Sequence, residues 1–379
     1  VKLQRNGRTK VIAIGTLAVV SSLTLAACGS DNNNTASSSS STSAGGSSSA
    51  SAANCGSGQL LGAGSTAQKN AMDIWVRNYQ QQCSGVTINY QGTGSSAGRS
   101  TFISGKLAFA GSDAALKPAE ITQSKAACGN AGQAIDLPMV GGPIAIGYNI
   151  PGVSNLVLNA STLAKIFSGK ITTWNDPAIK KLNPSANLPA LKIQTFHRSD
   201  GSGTSANFTA YLDGAAKSDW TYGSNSNWPA PGGQAAQGSA GLAAQVKQVS
   251  GSISYFEMSY ATASNITTAK IDNGSGTPVA VSTAAAATAL QKATVVGTNG
   301  DLALKLDYND TDAGAYPIAL VTYEIVCDKG NKAATLPALK GFLNYTASDA
   351  GQQAVASAGY LQLPAAITDK VKAAIASMS

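Results

Sequence analysis

A chain of 379 residues is long enough for about two domains of ordinary size. Hydrophobic residues make up 43% and charged residues only 12%, and no Lys/Arg cluster is dense enough for nucleic acid, which excludes that partner class. The formal charge is +7, but Lys2, Arg5, Arg8 and Lys10 supply four of it; without residues 1–27 the chain carries +3, a mild positive field suited to small anions.

The four basic residues precede an apolar run, Val11 to Ala27, which ends in Leu25-Ala26-Ala27-Cys28. A charged start, an apolar middle and small residues before a cut mark a secretory signal. A cysteine directly after Leu-Ala-Ala resembles the bacterial lipobox, in which that cysteine is lipidated. Residues 1–27 are therefore expected to be a lipoprotein signal peptide and Cys28 the lipidation site. The alternative is an ordinary signal or an uncleaved anchor with a chance cysteine. Residues 29–53 are almost all Ser, Ala, Asn, Thr and Gly, with little to bury. Residues 28–54 thus read as a lipidated cysteine and a disordered tether, with a reach of roughly 25–30 Å. No other stretch of eighteen apolar residues occurs, so no transmembrane helix is expected in the mature chain.

From Gln59 the pattern is strand, glycine turn, helix, and then the same again. Leu60-Leu61 leads into Gly62-Ala63-Gly64-Ser65-Thr66, and apolar residues recur at Ala71, Ile74, Trp75 and Tyr79. Val86–Tyr90 alternates as a strand does, followed by Gly92-Thr93-Gly94-Ser95-Ser96-Ala97-Gly98 and a helix with Arg99, Phe102 and Ile103. Leu107–Gly111 runs into Ser112-Asp113. This βαβα order predicts an α/β fold, with ligand at the carboxyl ends of parallel strands. Residues 137–150 read as a buried strand able to carry the chain between domains. Further expected elements are a helix around Leu163–Phe167, a short helix to Leu182, a strand at Leu191–Phe196, and a long surface loop over 223–241. A helix over Leu242–Val249, a strand at Ile253–Phe256, a helix in the Ala-rich run 283–292 and a returning strand at Tyr316–Val326 follow. Helices near Ala333–Tyr345, Ala347–Ala358 and Ile367–Ser377 close the chain.

Apart from Cys28, the cysteines number four: Cys55, Cys83, Cys128 and Cys327. An even number in an exported protein suggests disulfides. Cys55 and Cys83 each lie just before a strand. If those strands are parallel neighbours, the two sulfurs share one edge, so Cys55–Cys83 and Cys128–Cys327 are the expected pairs. A metal site has little support, with no CxxC pair and the single histidine elsewhere.

Three segments share one design of glycine, then Ser or Thr, then helix: Gly64-Ser65-Thr66, Gly94-Ser95-Ser96 and Gly201-Ser202-Gly203-Thr204. The first N–H groups of a helix have no partner within it, and its dipole favours negative charge there. Each segment alone reads equally as a plain N-cap. Three together, with Arg198 and Asp200 beside the last, point to convergence on an anion. Arg198 offers a forked, charge-assisted donor pair. Other chemistries fit less well. There is no GxxxxGK[ST], and the dinucleotide-like Gly92-Thr93-Gly94-Ser95-Ser96-Ala97 lacks a clear ribose-binding acid. His197, Asp200 and Ser202 look like a nucleophilic triad but lie within six residues, with no GxSxG elbow.

The segments 62–66, 90–98, 110–113, Ile166-Phe167-Ser168-Gly169-Lys170-Ile171-Thr172-Thr173-Trp174-Asn175-Asp176-Pro177 and Arg198–Thr204 resemble, in that order, the PstS family of phosphate-binding lipoproteins of bacterial Pst ABC importers. The resemblance covers about residues 59–365. It implies a two-domain periplasmic-binding-protein fold, each domain a mostly parallel sheet flanked by helices, with ligand in the interdomain cleft. Residues 55–140 plus 317–379 would form one domain and 141–316 the other, with hinges near 138–142 and 314–317. It implies binding of inorganic phosphate, with no catalysis, cofactor or metal. Partners would be the ABC permease and ATPase subunits of a phosphate importer, and the membrane through the lipid anchor. The chain would be a monomer at the outer face of the cell membrane. The implied phosphate contacts are Thr66, the N–H of Ala67, Ser95, Asp113, Arg198, Ser202, Gly203 and Thr204, with Asp200 holding Arg198. Ala67 departs from the bulkier residue often found there. The alternatives are an extracytoplasmic phosphohydrolase or adhesion protein on the same scaffold, or a binder of another oxyanion.

Overall fold

A computed structural model describes residues 55–379. The signal segment, Cys28 and the tether lie outside the described residues. The strands run β1 (Gly58–Gly64), β2 (Val86–Gln91), β3 (Phe109–Ser112), β4 (Ala134–Asn149), β5 (Val157–Asn159), β6 (Gln194–Arg198), β7 (Gln234–Ala236), β8 (Ser252–Glu257), β9 (Lys270–Asp272), β10 (Thr294–Val295), β11 (Leu304–Lys305) and β12 (Ala319–Cys327). The helices run α1 (Lys69–Gln82), α2 (Ser95–Ile103), α3 (Pro118–Ser124), α4 (Ala160–Phe167), α5 (Pro177–Leu182), α6 (Gly203–Ala215), α7 (Gly238–Gln248), α8 (Met258–Ser264), α9 (Thr283–Gln291), α10 (Leu336–Thr346), α11 (Asp349–Ala356) and α12 (Ala365–Ser377).

Eight strands form one sheet in the order β2-β1-β3-β12-β4-β8-β6-β7. Its two flanks, β2-β1-β3 and β8-β6-β7, are parallel, as βα units require. The centre is antiparallel, where β12 meets β3 and β4, and β4 meets β8. Strand β4 serves both flanks: Ala134–Pro143 pair with β12 and Ile144–Asn149 with β8. It is buried along its length except at Asn149, which is why it reads as an unbroken apolar run rather than an alternating one. The closing helices return to the first flank, where the Trp75 indole on α1 donates to the Gly351 carbonyl on α11 at 2.7 Å.

The expected disulfides are both present. Strands β1 and β2 pair in parallel with Gly58 opposite Val86, which puts Cys55 and Cys83 side by side three residues earlier, with Cα atoms 5.4 Å apart. Cys128 reaches Cys327 at the end of β12, with Cα atoms 5.5 Å apart.

Two local expectations shift. The strand expected at Leu191–Phe196 is β6, Gln194–Arg198, which delivers Arg198 at its carboxyl end. Lys192 bridges to Thr173 instead. The loop expected over 223–241 contains the edge strand β7 and the start of α7, at Gly238 rather than Leu242. Gly238 has φ +67, which lets the chain turn from strand into helix within two residues.

Candidate anion-binding site

The site sits where the carboxyl ends of the two flanks face each other. From the first flank come Ser65–Gln68 after β1, Gly94-Ser95 at the start of α2, and Asp113 after β3. From the second come Arg198 at the end of β6, Ser202–Thr204 at the start of α6, and Gly238-Ser239 at the start of α7. Three helix N-termini therefore point into one region, each adding orphan N–H donors and a positive dipole end.

The flanks touch closely. Gly94 has φ +93, and a Cβ there would lie 2.3 Å from an Asp200 carboxylate oxygen. Only glycine allows this approach. The Ser96 N–H, one of the orphan donors of α2, donates to the Gly201 carbonyl at 3.0 Å.

Arg198 is 2% exposed. Its Nε donates to Asp200 Oδ1 at 2.7 Å and its Nη2 to Oδ2. The Gly238 N–H also donates to Asp200 Oδ1, at 3.1 Å. Burial pushes the Asp200 carboxyl up, but the bonds and charge of Arg198, together with the Gly238 N–H, outweigh it and hold it below its ordinary value. Asp200 thus fixes the guanidinium. Behind Arg198 stands a dry aromatic wall. The Arg198 N–H donates to Tyr255 Oη at 3.3 Å, and Tyr255 stacks on Phe208 with centroids 4.5 Å apart.

Asp113 is buried among hydroxyls from both flanks. Thr322 donates to Oδ1 at 2.9 Å, and Ser65 donates to the same oxygen. Ser95 and Thr204 reach Oδ2 at 3.4 and 3.5 Å. Its carbonyl accepts from Asn207 on α6 at 2.7 Å. Burial pushes the Asp113 carboxyl up; the Ser65 and Thr322 hydroxyls, the Arg198 charge and Ser95 offset this only in part, and it stays above its ordinary value. Two further carboxyls lie behind it. Burial pushes Glu257 up to about 8 and Glu324 well above its usual range, with Asp113 adding to both shifts. Each keeps one oxygen without a partner, Glu257 Oε1 and Glu324 Oε2. Burial favours the neutral form of both, which lessens their repulsion of an anion in front of them.

Thr66, Ala67, Ser95, Asp113, Arg198, Asp200, Ser202, Gly203 and Thr204 are thus brought to one place. Ser202 caps α6, its Oγ accepting from the Ser205 N–H at 3.1 Å. The triad-like reading fails on geometry: His197 stacks on Trp228 at 5.2 Å and its Nδ1 meets the Arg198 carbonyl, while Asp200 is taken by Arg198. Sequence reasoning missed Ser239, whose N–H and Oγ meet Thr66 Oγ1 at 3.2 and 3.0 Å. Gly238-Ser239 repeats the glycine–serine–helix pattern, a signal masked by the many Gly, Ser, Asn and Pro residues of 223–241. Thr322 and Tyr260 carry no local signal at all.

Residues 49–350 match the family model of the PBP superfamily domain. The chain is 39% identical over 378 residues to the phosphate-binding protein PstS 3 of Mycobacterium tuberculosis, covering 99% of each. It is 33% identical over 322 residues to the phosphate-binding protein PstS of Methanocaldococcus jannaschii, covering 79% of this chain and 81% of that one. The chain belongs to the PstS family. Among solved structures, a periplasmic phosphate-binding protein, PfluDING, matches with TM-score 0.68 at 22% identity, over 83% of this chain and 93% of that one. A phosphate ABC transporter substrate-binding protein from Clostridium perfringens matches with TM-score 0.57 at 19% identity, over 81% and 100%. These two place the fold among two-domain periplasmic binding proteins. Both PstS relatives are named phosphate-binding proteins, and membership of their family makes the chain a binding protein rather than an enzyme. Among the described residues no helix is long and apolar enough to cross a membrane.

Proposed function

We propose that this chain captures inorganic phosphate and delivers it to the permease and ATPase subunits of an ABC importer. It works as a monomer tethered through lipidated Cys28 to the outer face of the cell membrane. Thr66, the Ala67 N–H, Ser95, Arg198, Ser202, Gly203 and Thr204 supply donors, and Asp200 holds Arg198. Residues 55–140 with 317–379 form one lobe and 141–316 the other, bending near 138–142 and 314–317. Its PstS relatives are named phosphate-binding proteins, which supports the choice of ligand.

The observation that carries the reading is Asp113, a buried acceptor in an array otherwise made of donors. An ionised carboxylate only accepts. Facing an oxyanion it repels, unless the ligand brings a proton to share. Phosphate near neutral pH carries one or two protons; sulfate carries none. Asp113 therefore accepts a phosphate O–H and rejects sulfate, whose unprotonated oxygens would face the carboxylate with nothing to donate. Calorimetry with phosphate, sulfate and arsenate tests this. Phosphate binding with sulfate silent is expected, and Asp113→Asn should narrow the gap. Equal binding of sulfate by the unsubstituted chain would sink the reading.

A further inference from the structure

We propose that Ser239 and Tyr260 are positioning residues that clamp Thr66 from the opposite flank and so aim the Thr66 hydroxyl and the Ala67 N–H at the anion. The inference rests on the phosphate reading and adds the device that sets how long phosphate is held.

The hydroxyl and the carbonyl of Thr66 are both engaged from the second flank. Its Oγ1 accepts from the Ser239 N–H at 3.2 Å and lies 3.0 Å from Ser239 Oγ. A hydroxyl has one proton and two lone pairs. When Ser239 Oγ–H also donates, both lone pairs are filled and the Thr66 proton is free only for a third partner. An anion beside Thr66 selects that arrangement, which turns an ambivalent hydroxyl into an obligate donor.

The Thr66 carbonyl accepts from Tyr260 Oη on α8. That carbonyl and the Ala67 N–H belong to one planar trans peptide, on which they point opposite ways. Fixing one end fixes the other, and a bond to the C=O strengthens the N–H as a donor. Burial pushes the Tyr260 phenol above its ordinary value, so it stays a donor across physiological pH. The next peptide is treated alike from the carboxyl-terminal segment. Tyr360 Oη donates to the Ala67 carbonyl at 2.6 Å, and the Gln68 N–H of that peptide donates to Ser65 Oγ at 3.1 Å. Ser65 in turn donates to Asp113.

Ser239 and Tyr260 sit on α7 and α8, which pack on the second flank, whereas Thr66 follows β1 in the first. The clamp therefore forms only when the flanks come together. Phosphate arrives at loosely aimed donors, and closure aims them, so the clamp slows release more than it speeds capture.

The test uses the mature chain with radiolabelled inorganic phosphate, chased with unlabelled phosphate. Tyr260→Phe and Ser239→Ala should each release label about ten-fold faster, the size expected for one lost buried hydrogen bond. Association rates and the melting temperature of the ligand-free protein should stay at the parent values, and Ser239→Thr should restore slow release. Parent-like release from both variants would overturn the clamp. So would an affinity loss carried by slower association, or Ser239→Thr releasing as fast as Ser239→Ala. A parent chain that retains no label overturns the phosphate reading and the clamp with it; a parent that retains it beside unchanged variants overturns the clamp alone.

Discussion

The Arg198 guanidinium and the Ser202 hydroxyl find their partners within Arg198–Ser205, whereas the polar groups of Ser65–Gln68 are held mostly from far along the chain. In the first, Arg198 pairs with a carboxylate two residues on, and Ser202 caps the helix it opens. In the second, Ser65 meets Asp113, Thr66 meets Ser239 and Tyr260, Ala67 meets Tyr360, and Gln68 Nε2 donates to Glu324. Both walls carry the same kind of sequence, a glycine followed by hydroxyl residues before a helix. One keeps its guanidinium and its helix cap in place through local partners; the other is a strip of backbone whose shape is set by distant neighbours. Damage to the first wall should act on affinity directly, and damage behind the second should act through position, release rate and pH.

Arg198→Ala tests the self-contained wall most severely. Truncating one partner of a buried charge pair typically costs about 2–5 kcal/mol or more, so phosphate affinity should fall by roughly 30-fold to several thousand-fold by calorimetry. Near-normal affinity would show that this wall does not carry the anion.

Behind the borrowed wall, Glu257 accepts from Ser259, whose hydroxyl meets Tyr360 at 3.2 Å. Its carboxyl is raised in the fold from 4.5 to about 8. The folded chain therefore binds a proton that the unfolded chain loses between those values. The stability tied to that proton is complete below about 4.5 and is lost as pH rises through about 8. Glu257→Gln should flatten this part of the melting-temperature profile and stabilise the protein on the alkaline side by an amount on the order of a few kcal/mol. An unchanged slope would mean that Glu257 is ionised within the fold.

Asp200→Asn should have a smaller effect, about 1–3 kcal/mol of phosphate affinity, because Arg198 keeps its charge but loses its fixed direction. The carboxyl is depressed in the fold, so its contribution to stability is present above its unfolded value and lost as pH falls through the folded one. The variant should lose less stability than the parent on acidification below about pH 4. A loss of affinity as large as that of Arg198→Ala would show instead that Asp200 itself organises both walls, through Gly238 and Gly94.

Much of the fold was legible. The apolar run of β4, the βαβα start and the helical Ala-rich segment follow from periodicity, because one-sided or two-sided burial imposes a spacing on the residues. The start of α7 was not, since glycine and serine mark loops and helix starts alike, and only the pairing of β7 with β6 decides between them.

The sequence by itself determined the residue types of an oxyanion site, the local partnership of Arg198 with Asp200, and both disulfide pairs. Arg198 and Asp200 lie within a few residues and Cys55 and Cys83 before neighbouring strand starts; Cys128–Cys327, 199 positions apart, follows only as the pair left over. Only the tertiary structure decided which hydroxyls surround Asp113, that Glu257 and Glu324 stay buried behind it, and that α7 and α8 grip Thr66. Those contacts join residues 173 and 194 positions apart, between Thr66 and Ser239 and between Thr66 and Tyr260. Nothing in the spacing of a chain records a contact at that range; closing the two flanks over the site creates it.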